Sequence, residues 1–486
     1  MKQSADPLDR VFITRSPWAQ ALQRLRRIAL IEDVTFWLFL AGLAWVPFWY
    51  GSNVMLAWGV NAVLFPGLVA LYEFALLVRS KAHPVGIRTI SVPTTLFGIV
   101  LIWIGVQTLT WSSSPLANPV WGMASEALGR PLEGSISVNR DLTVLALMRL
   151  ITAASVFWLA LQLCRDGERA GRFMTAIAAI GCAYAVYGLI AIKAGHVPWL
   201  EIPRQNGRVS STFFNRNHFA TYAGLTLITV VALTQELYHR ALGDVPRGWR
   251  TQLATLIDVS GGQGAALVTS AFLIAVAFLL TGSRGGIIAA GLGLIVLGVL
   301  AHGGAGRRSR RSLVVTLFAL IAVAAVLYAF GGFFAGSLEE RGVSDVGRLS
   351  VFGLTLRSIL DAPLAGFGYG TFVDVFPMYR DRSLSVLGIW EHTHNTYLEV
   401  FQGLGVLFGA MLIASVVLLA IRCFRGSIQR QSNVMVPRMA ASAACLIGIN
   451  SLVDFGLEIQ AVTLTFAAML GAGVAQSESS RAALSD

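Results

Sequence analysis

Apolar runs of about twenty residues recur along almost the whole chain, and nothing else constrains its fold so strongly. Runs of that length suit a hydrocarbon core about 30 Å thick. Backbone N–H and C=O groups in lipid must be satisfied within the segment, so these runs are helices. A membrane β-barrel would show short alternating segments instead, and none is visible. Composition agrees: 55% of the 486 residues are hydrophobic and 13% are charged, with mean hydropathy +0.67. A soluble domain carries about 25% charged residues. The chain reads as an all-α polytopic membrane protein.

The spans fall at about 34–51, 54–78, 91–111, 143–164, 173–194, 219–238, 264–282, 286–302, 313–333, 395–420, 438–457 and 460–475. Twelve spans put both termini on one side. The loops assigned to that side hold Arg79, Lys81 and Arg88; Arg165, Arg169 and Arg172; Arg240, Arg247 and Arg250; Arg307, Arg308, Arg310 and Arg311; and Arg422, Arg425 and Arg430. Basic loops mark the cytoplasmic side. This divides the chain into a cytoplasmic, basic amphipathic segment (1–33), a membrane domain (34–475) containing a large outer loop (334–394), and a cytoplasmic tail (476–486). Residues around Trp18 read as an interfacial helix, and no cleavage site follows the first apolar run.

A net charge of +11 raises nucleic acid as a partner. Much of the arginine lies in short loops between apolar runs, where it sets topology and meets anionic headgroups, so nucleic acid is excluded. The four cysteines (Cys164, Cys182, Cys423, Cys445) have no metal spacing and form no disulfide framework.

Three long outer segments, about 112–142, 195–218 and 334–394, break the charge pattern by holding arginine. Acidic neighbours such as Glu201, Asp345 or Asp374 explain some of it, and an anionic ligand would explain the rest. In the last segment, Val346, Leu349, Phe352, Leu356, Ile359 and Leu360 share a helical face. Ser344 or Asp345 is the expected N-cap and Asp361-Ala-Pro363 the end. The turn Gly366-Phe-Gly-Tyr-Gly370 follows, then a short helix from Thr371 to Arg380 weakened by Pro377.

Several side chains carry both a chemical and a bland reading. Arg284, in Thr281-Gly-Ser-Arg-Gly-Gly286, interrupts an apolar stretch; it faces a polar cavity or snorkels to headgroups. Phe214-Asn215-Arg216-Asn217-His218 clusters amides, a guanidinium and an imidazole; it is a helix cap with Asn217 as the capping residue, or a phosphate grip by Arg216. Arg348 binds an anion or pairs with Asp345, and Arg357 is structural. His394, at the head of the tenth span, is the best general-base candidate, oriented by Glu391 one turn earlier if that helix extends back. Asn395 and the Gly403-Leu-Gly405 break share its segment, and His392 points elsewhere. Arg149, Asp454 and Glu458 read as a buried ion pair. Tyr369 sits inside the glycine turn, whose pattern alone is weak evidence for phosphate binding.

His394-Asn-Thr-Tyr-Leu-Glu-Val-Phe-Gln-Gly-Leu-Gly, Asp361-Ala-Pro-Leu-Ala-Gly-Phe-Gly-Tyr-Gly, Gly347-Arg348, Ser283-Arg284-Gly-Gly and Asn215-Arg-Asn-His-Phe resemble, as an ordered set, the O-antigen ligase and Wzy-type polysaccharide polymerase superfamily. The resemblance covers about 210–420. It implies a GT-C-like glycosyltransferase of the bacterial inner membrane, with its active site on the periplasmic face and inversion without a metal or other cofactor. It implies an undecaprenyl-diphosphate-linked glycan donor, a glycan acceptor and the bilayer as partners, with chain-length-regulating or export proteins as further candidates. By position, Arg216, Arg284 and Arg348 become diphosphate ligands and His394 the base, with Glu391, Asn395, Asn215, His218 and Tyr369 in support. Gly405 is followed by Val406-Leu-Phe rather than a basic-aromatic stretch, which favours a polymerase over a ligase that transfers glycan to lipid A-core. The rival class is a transporter of anionic lipid-linked sugars. That class predicts a repeat between halves and charges near the midplane, and neither is visible.

Overall fold

The computed structural model describes residues 17–110, 116–194, 207–243, 261–302, 342–385, 388–430 and 432–478, with isolated positions 200, 251 and 258. For 17–30, 242–243, 302 and 342–346 it describes the backbone alone. The expected span at 313–333, the start of the 334–394 loop and the tail beyond 478 lie outside these residues, as does the side chain of Asp345.

All described elements are helices. They are α1 (Pro17–Trp45), α2 (Met55–Val78), α3 (Ser91–Thr108), α4 (Val120–Leu128), α5 (Arg140–Leu163), α6 (Gly167–Ala194), α7 (Arg216–Gly243), α8 (Gln263–Leu280), α9 (Arg284–His302), α10 (Gly342–Asp361), α11 (Phe372–Val375), α12 (Thr396–Leu404), α13 (Val406–Gln429), α14 (Met435–Asn450) and α15 (Gln460–Ser477). Among the described residues, eight helices are long and apolar enough to cross a membrane: α2, α3 with the turn before it, α5 to α9, and α13. The fold is that of a polytopic membrane protein.

Helix α15 is the buried axis, packed on α5, α14 and α13. Water cannot drive helices together inside a bilayer, so close contact requires small residues. Gly471 lies against the α5 backbone at Phe157, and Gly473 against Ala440 of α14 and Cys423 of α13. A side chain at either glycine would push these helices apart.

One end of the bundle is tied by basic side chains. Arg169 pairs with Asp33 at 2.8 Å and Glu32 at 3.3 Å, and Arg422 with Glu478 at 2.9 Å. Arg165 donates to the Ala475 and Glu478 carbonyls, and Gln476 Nε2 to those of Cys164 and Arg165. The other end gathers the first residues of α7, α9 and α12, Arg149 of α5 and the 451–459 connection, and it holds the candidate site.

Four expected elements change here. The span placed at 395–420 is two helices, α12 and α13, because Gly405 at φ +79 ends one and starts the other. The span placed at 438–457 stops at Asn450, so Asp454 and Glu458 lie in a connection that includes a short 3₁₀ turn. Helix α10 ends at Asp361 as expected but begins at Gly342, before Ser344 and Asp345. The short helix at 371–380 divides after Val375 into α11 and a 3₁₀ turn that holds Pro377, since proline removes a backbone donor.

The glycine turn docks onto the Gly405 break. Gly366, Gly368 and Gly370 have φ of +66, +103 and +84. The N–H groups of Phe367 and Gly368 donate to the carbonyls of Gln402 (3.0 Å) and Gly403 (3.1 Å), and Val406 donates to Pro363 (2.7 Å). Buried Gln107 of α3 completes the joint. Its amide donates to Ala365 and Gly403 carbonyls at 2.8 Å each and accepts from the Tyr369 N–H at 3.2 Å. The turn's backbone is thereby committed to packing, which accounts for its glycines without a phosphate.

Candidate active site

Three histidines meet around one phenyl ring. Phe455 lies in the connection between α14 and α15. His392 stacks on it with centroids 4.3 Å apart and 21° between planes. His394 meets it edge-on at 4.8 Å, and His218, from the first turn of α7, at 4.5 Å. Trp390 closes the other side of His394, at 5.7 Å and 87°.

Buried Asp454 sits between two of the imidazoles. Its Oδ1 faces His394 Nδ1 at 3.6 Å and His218 Nε2 at 3.9 Å. Both distances exceed a hydrogen bond, and none of the three atoms has a hydrogen-bond partner. Burial pushes the Asp454 carboxyl up, but His394, His218 and the Phe455 N–H together outweigh it and hold it below the usual carboxylate range. A carboxylate so placed stabilises an imidazolium and steers Nδ1–H toward itself, which leaves Nε2 as the acceptor nitrogen of His394.

A second carboxylate group lies behind. His392 Nδ1 is 2.7 Å from Glu399 Oε1. Burial disfavours the His392 imidazolium, yet Glu399 and Glu458 outweigh that and raise its pKa. Glu458 pairs with Arg149 at 3.2 Å, and Arg149 lies over the Trp58 ring at 4.6 Å. Burial and the neighbouring Glu399 raise the Glu458 pKa against the pull of Arg149. The ion pair read from the sequence therefore exists between Arg149 and Glu458, though only partly buried, while Asp454 lies with the histidines.

The three arginines sit on different elements. Arg216 opens α7, is buried, and donates Nη1 to the carbonyls of Thr281 (2.6 Å) and Gly282 (3.3 Å). It braces the turn that carries Arg284. Gly282 at φ +62 makes that turn, and Arg284 opens α9 directly after it. Gly285 rests on Val453, next to Asp454; a Cβ there would lie 3.1 Å from the valine methyl. Arg348 lies in α10 beside Gly347, where a Cβ would sit 3.7 Å from the Trp390 indole. The helix N-termini of α7 and α9 add positive potential to that of the guanidiniums. Among the described residues, no group of three or more His, Cys, Asp or Glu is arranged to hold a metal ion.

The supporting candidates separate. Asn215, not Asn217, is the cap of α7: its Oδ1 accepts the Asn217 N–H at 2.9 Å. Asn395 caps α12, accepting from Leu398 at 3.1 Å and donating to the Leu452 carbonyl at 3.0 Å. Because α12 starts only at Thr396, the helix expected to bring Glu391 over His394 is absent, and Glu391 is exposed. Asp454 takes the place assigned to Glu391. Tyr369 is held in the glycine turn through Gln107, where burial pushes its phenol up. His392 is not turned away but stacked into the cluster.

Sequence reasoning missed Asp454, Phe455, Glu399 and His392. The signal for Asp454 and Phe455 was hidden by assigning them to the end of a span. For Glu399, the available sign was an acidic residue in the first turn of the helix that follows the histidines.

No curated protein matches the chain. Residues 269–414 match the family model described as O-antigen ligase. That segment runs from α8 into α13 and includes Arg284, Arg348 and His394; Arg216, His218, Asp454 and Phe455 lie outside it. The match bears out, for this part of the chain, the resemblance to the O-antigen ligase and Wzy-type polymerase superfamily.

Proposed function

We propose that this protein is a glycosyltransferase of the bacterial inner membrane that polymerises undecaprenyl-diphosphate-linked oligosaccharide repeat units on the periplasmic face. The observation that carries the reading is Asp454 Oδ1 facing His394 Nδ1, at the bundle end where the arginine-bearing starts of α7 and α9 also lie. A twelve-span GT-C-like arrangement, with both termini cytoplasmic, accommodates this site on the opposite face.

The chemistry follows from the groups. The acceptor hydroxyl gives its proton to His394 Nε2 as its oxygen bonds to the anomeric carbon. The bond from that carbon to the diphosphate breaks, and the electron pair leaves with the phosphate oxygen. Attack from the face opposite the diphosphate inverts the centre. Arg284 and Arg348 neutralise the leaving charge, and Arg216 holds the turn that presents Arg284. Asp454 stabilises the imidazolium that forms, so the base strengthens as the proton arrives.

The test is His394→Ala in cells. Lipid-linked single repeat units accumulate and polymer disappears; polymer of normal length in that variant rules the assignment out. A ligase would share the site and differ in acceptor, and its loss would leave polymer made but not attached to lipid A-core. Val406-Leu407-Phe408 after Gly405 favours the polymerase. A transporter would move the donor unchanged across a reconstituted membrane, whereas an enzyme yields elongated glycan.

A further inference from the structure

The segment 392–399 closes on itself around an unusual backbone. His394 has φ +57, the left-handed region that side chains with a Cβ rarely adopt. Such a conformation persists only where its surroundings over-determine it, and it gathers at functional sites. The surroundings here trace to one side chain. Glu399, buried on α12, spends both carboxylate oxygens on the two residues just before His394. Oε1 meets His392 Nδ1 at 2.7 Å. Oε2 accepts the Thr393 N–H at 3.2 Å and lies 3.3 Å from the Thr393 hydroxyl. That hydroxyl in turn accepts the Asn395 N–H at 3.0 Å and lies 2.6 Å from the Asn395 carbonyl. After the histidine, the chain is pinned by Thr396 N–H on the Ser451 carbonyl at 2.9 Å.

The same carboxylate reaches the His394 ring through aromatic contacts. Glu399 fixes the His392 imidazole, His392 stacks on Phe455, and Phe455 meets His394 edge-on. Backbone and ring of His394 are therefore both set from Glu399, without Glu399 touching His394.

We infer that Glu399 is a positioning residue: its carboxylate clamps His392 and Thr393 so that His394 is held in the left-handed conformation with Nδ1 facing Asp454. This rests on the reading of His394 as the base. The groups facing the clamp are Glu458, just before α15, and Arg149 on α5, with Asp454 and His218 across Phe455. A misplacement of about 1 Å costs roughly 10²-fold in rate, so the effect belongs in turnover, not in donor affinity.

The experiment uses the full chain in proteoliposomes, with lipid-linked oligosaccharide extracted from cells lacking the protein as substrate. Rates are normalised to monodisperse folded protein. Glu399→Ala lowers kcat about 10²-fold while KM for the donor moves less than about threefold. Glu399→Gln recovers at least about tenfold over the alanine variant, because its amide oxygen still accepts the Thr393 N–H and its amide nitrogen still reaches His392. Thr393→Val, which keeps the shape and loses the hydroxyl, falls between wild type and Glu399→Ala. The inference is overturned if Glu399→Ala keeps wild-type kcat per folded molecule while His394→Ala is inactive, or if glutamine does no better than alanine. Wild-type turnover by His394→Ala overturns instead the reading of the site on which the inference rests.

Discussion

Asp454 Oδ1 lies 3.6 Å from His394 Nδ1, and the two residues come from connections on either side of α12, α13 and α14. The gap is wider than a hydrogen bond, in a buried place where neither atom has a hydrogen-bond partner. Catalytic hydrogen bonds are often long before substrate binds and tighten as charge develops. Asp454→Asn keeps the shape and removes the charge that would stabilise the imidazolium. The expected result is a fall in kcat of about 10²-fold or more with donor KM little changed. Wild-type turnover by purified Asp454→Asn would remove Asp454 from the mechanism.

In the proposed reading Arg284 grips the diphosphate before its charge leaves as well as while it leaves, so its loss also shows in affinity. It opens α9 beside the 451–455 connection, where guanidinium and helix N-terminus both favour an anion. A charge-assisted hydrogen bond is worth about 1.5–3 kcal/mol, so Arg284→Ala weakens donor binding by roughly 10–100-fold. Arg284→Lys keeps the charge but loses the planar fork, and it recovers part of that loss. Binding of a lipid diphosphate without sugar to the two variants measures the difference. Equal affinity in both variants and the wild type would place Arg284 outside the diphosphate site.

The two carboxylate–histidine groups give opposite pH dependences of stability. The His392 pKa is raised by folding, so its contribution is complete below the unfolded value, about 6.5, and is lost as pH rises through the folded value. The Asp454 pKa is depressed, so its contribution is present above the unfolded carboxylate value, about 4, and is lost as pH falls through the folded one. Thermal unfolding in detergent, followed by near-ultraviolet circular dichroism, should show stability declining above about pH 6.5. Glu399→Gln removes the main group holding the His392 pKa up, so that decline flattens. A slope unchanged in the variant would mean that His392 does not titrate in this range.

The membrane character of the chain and the starts of α7 and α9 were legible because each follows a local rule: hydropathy for the spans, and a polar break for Arg216 and Arg284. Helix α10 was legible from periodicity and from Pro363, which marks its end at Asp361. What did not show in the sequence depends on contacts distant along the chain. The split at Gly405 exists because the glycine turn docks there through Gln107, a residue that looks like a stray polar in an apolar span. Hydropathy ran through the break for the same reason. Asp454 and Phe455 became visible only once α14 proved to end at Asn450, which frees them to face α12 and α7. Glu391 could orient His394 only if α12 extended backward, and the Asn395 cap excludes that extension.

The joint between the glycine turn and the Gly405 break makes a paired prediction on two glycines. Gly366 has φ +66, and a Cβ there would collide with the backbone of Gly403 and lie 2.6 Å from Gly405 N. Neither backbone can move without breaking the bonds from Phe367 and Gly368 that fix the end of α12. Gly353, on α10, is exposed and helical, and a methyl group added there would meet nothing within 4 Å. Alanine at Gly353 restores helix propensity worth up to about 1 kcal/mol, so Gly353→Ala is neutral or mildly stabilising. Alanine at Gly366 meets both a strained φ, costing about 1–2 kcal/mol, and the clash, so Gly366→Ala yields little folded protein. Fluorescence-detected size-exclusion chromatography of the two variants, with thermal melts of whatever elutes as a single species, checks the pair. A Gly366→Ala protein as abundant and as stable as Gly353→Ala would mean that the turn does not anchor the break, and that His394 is held in place without it.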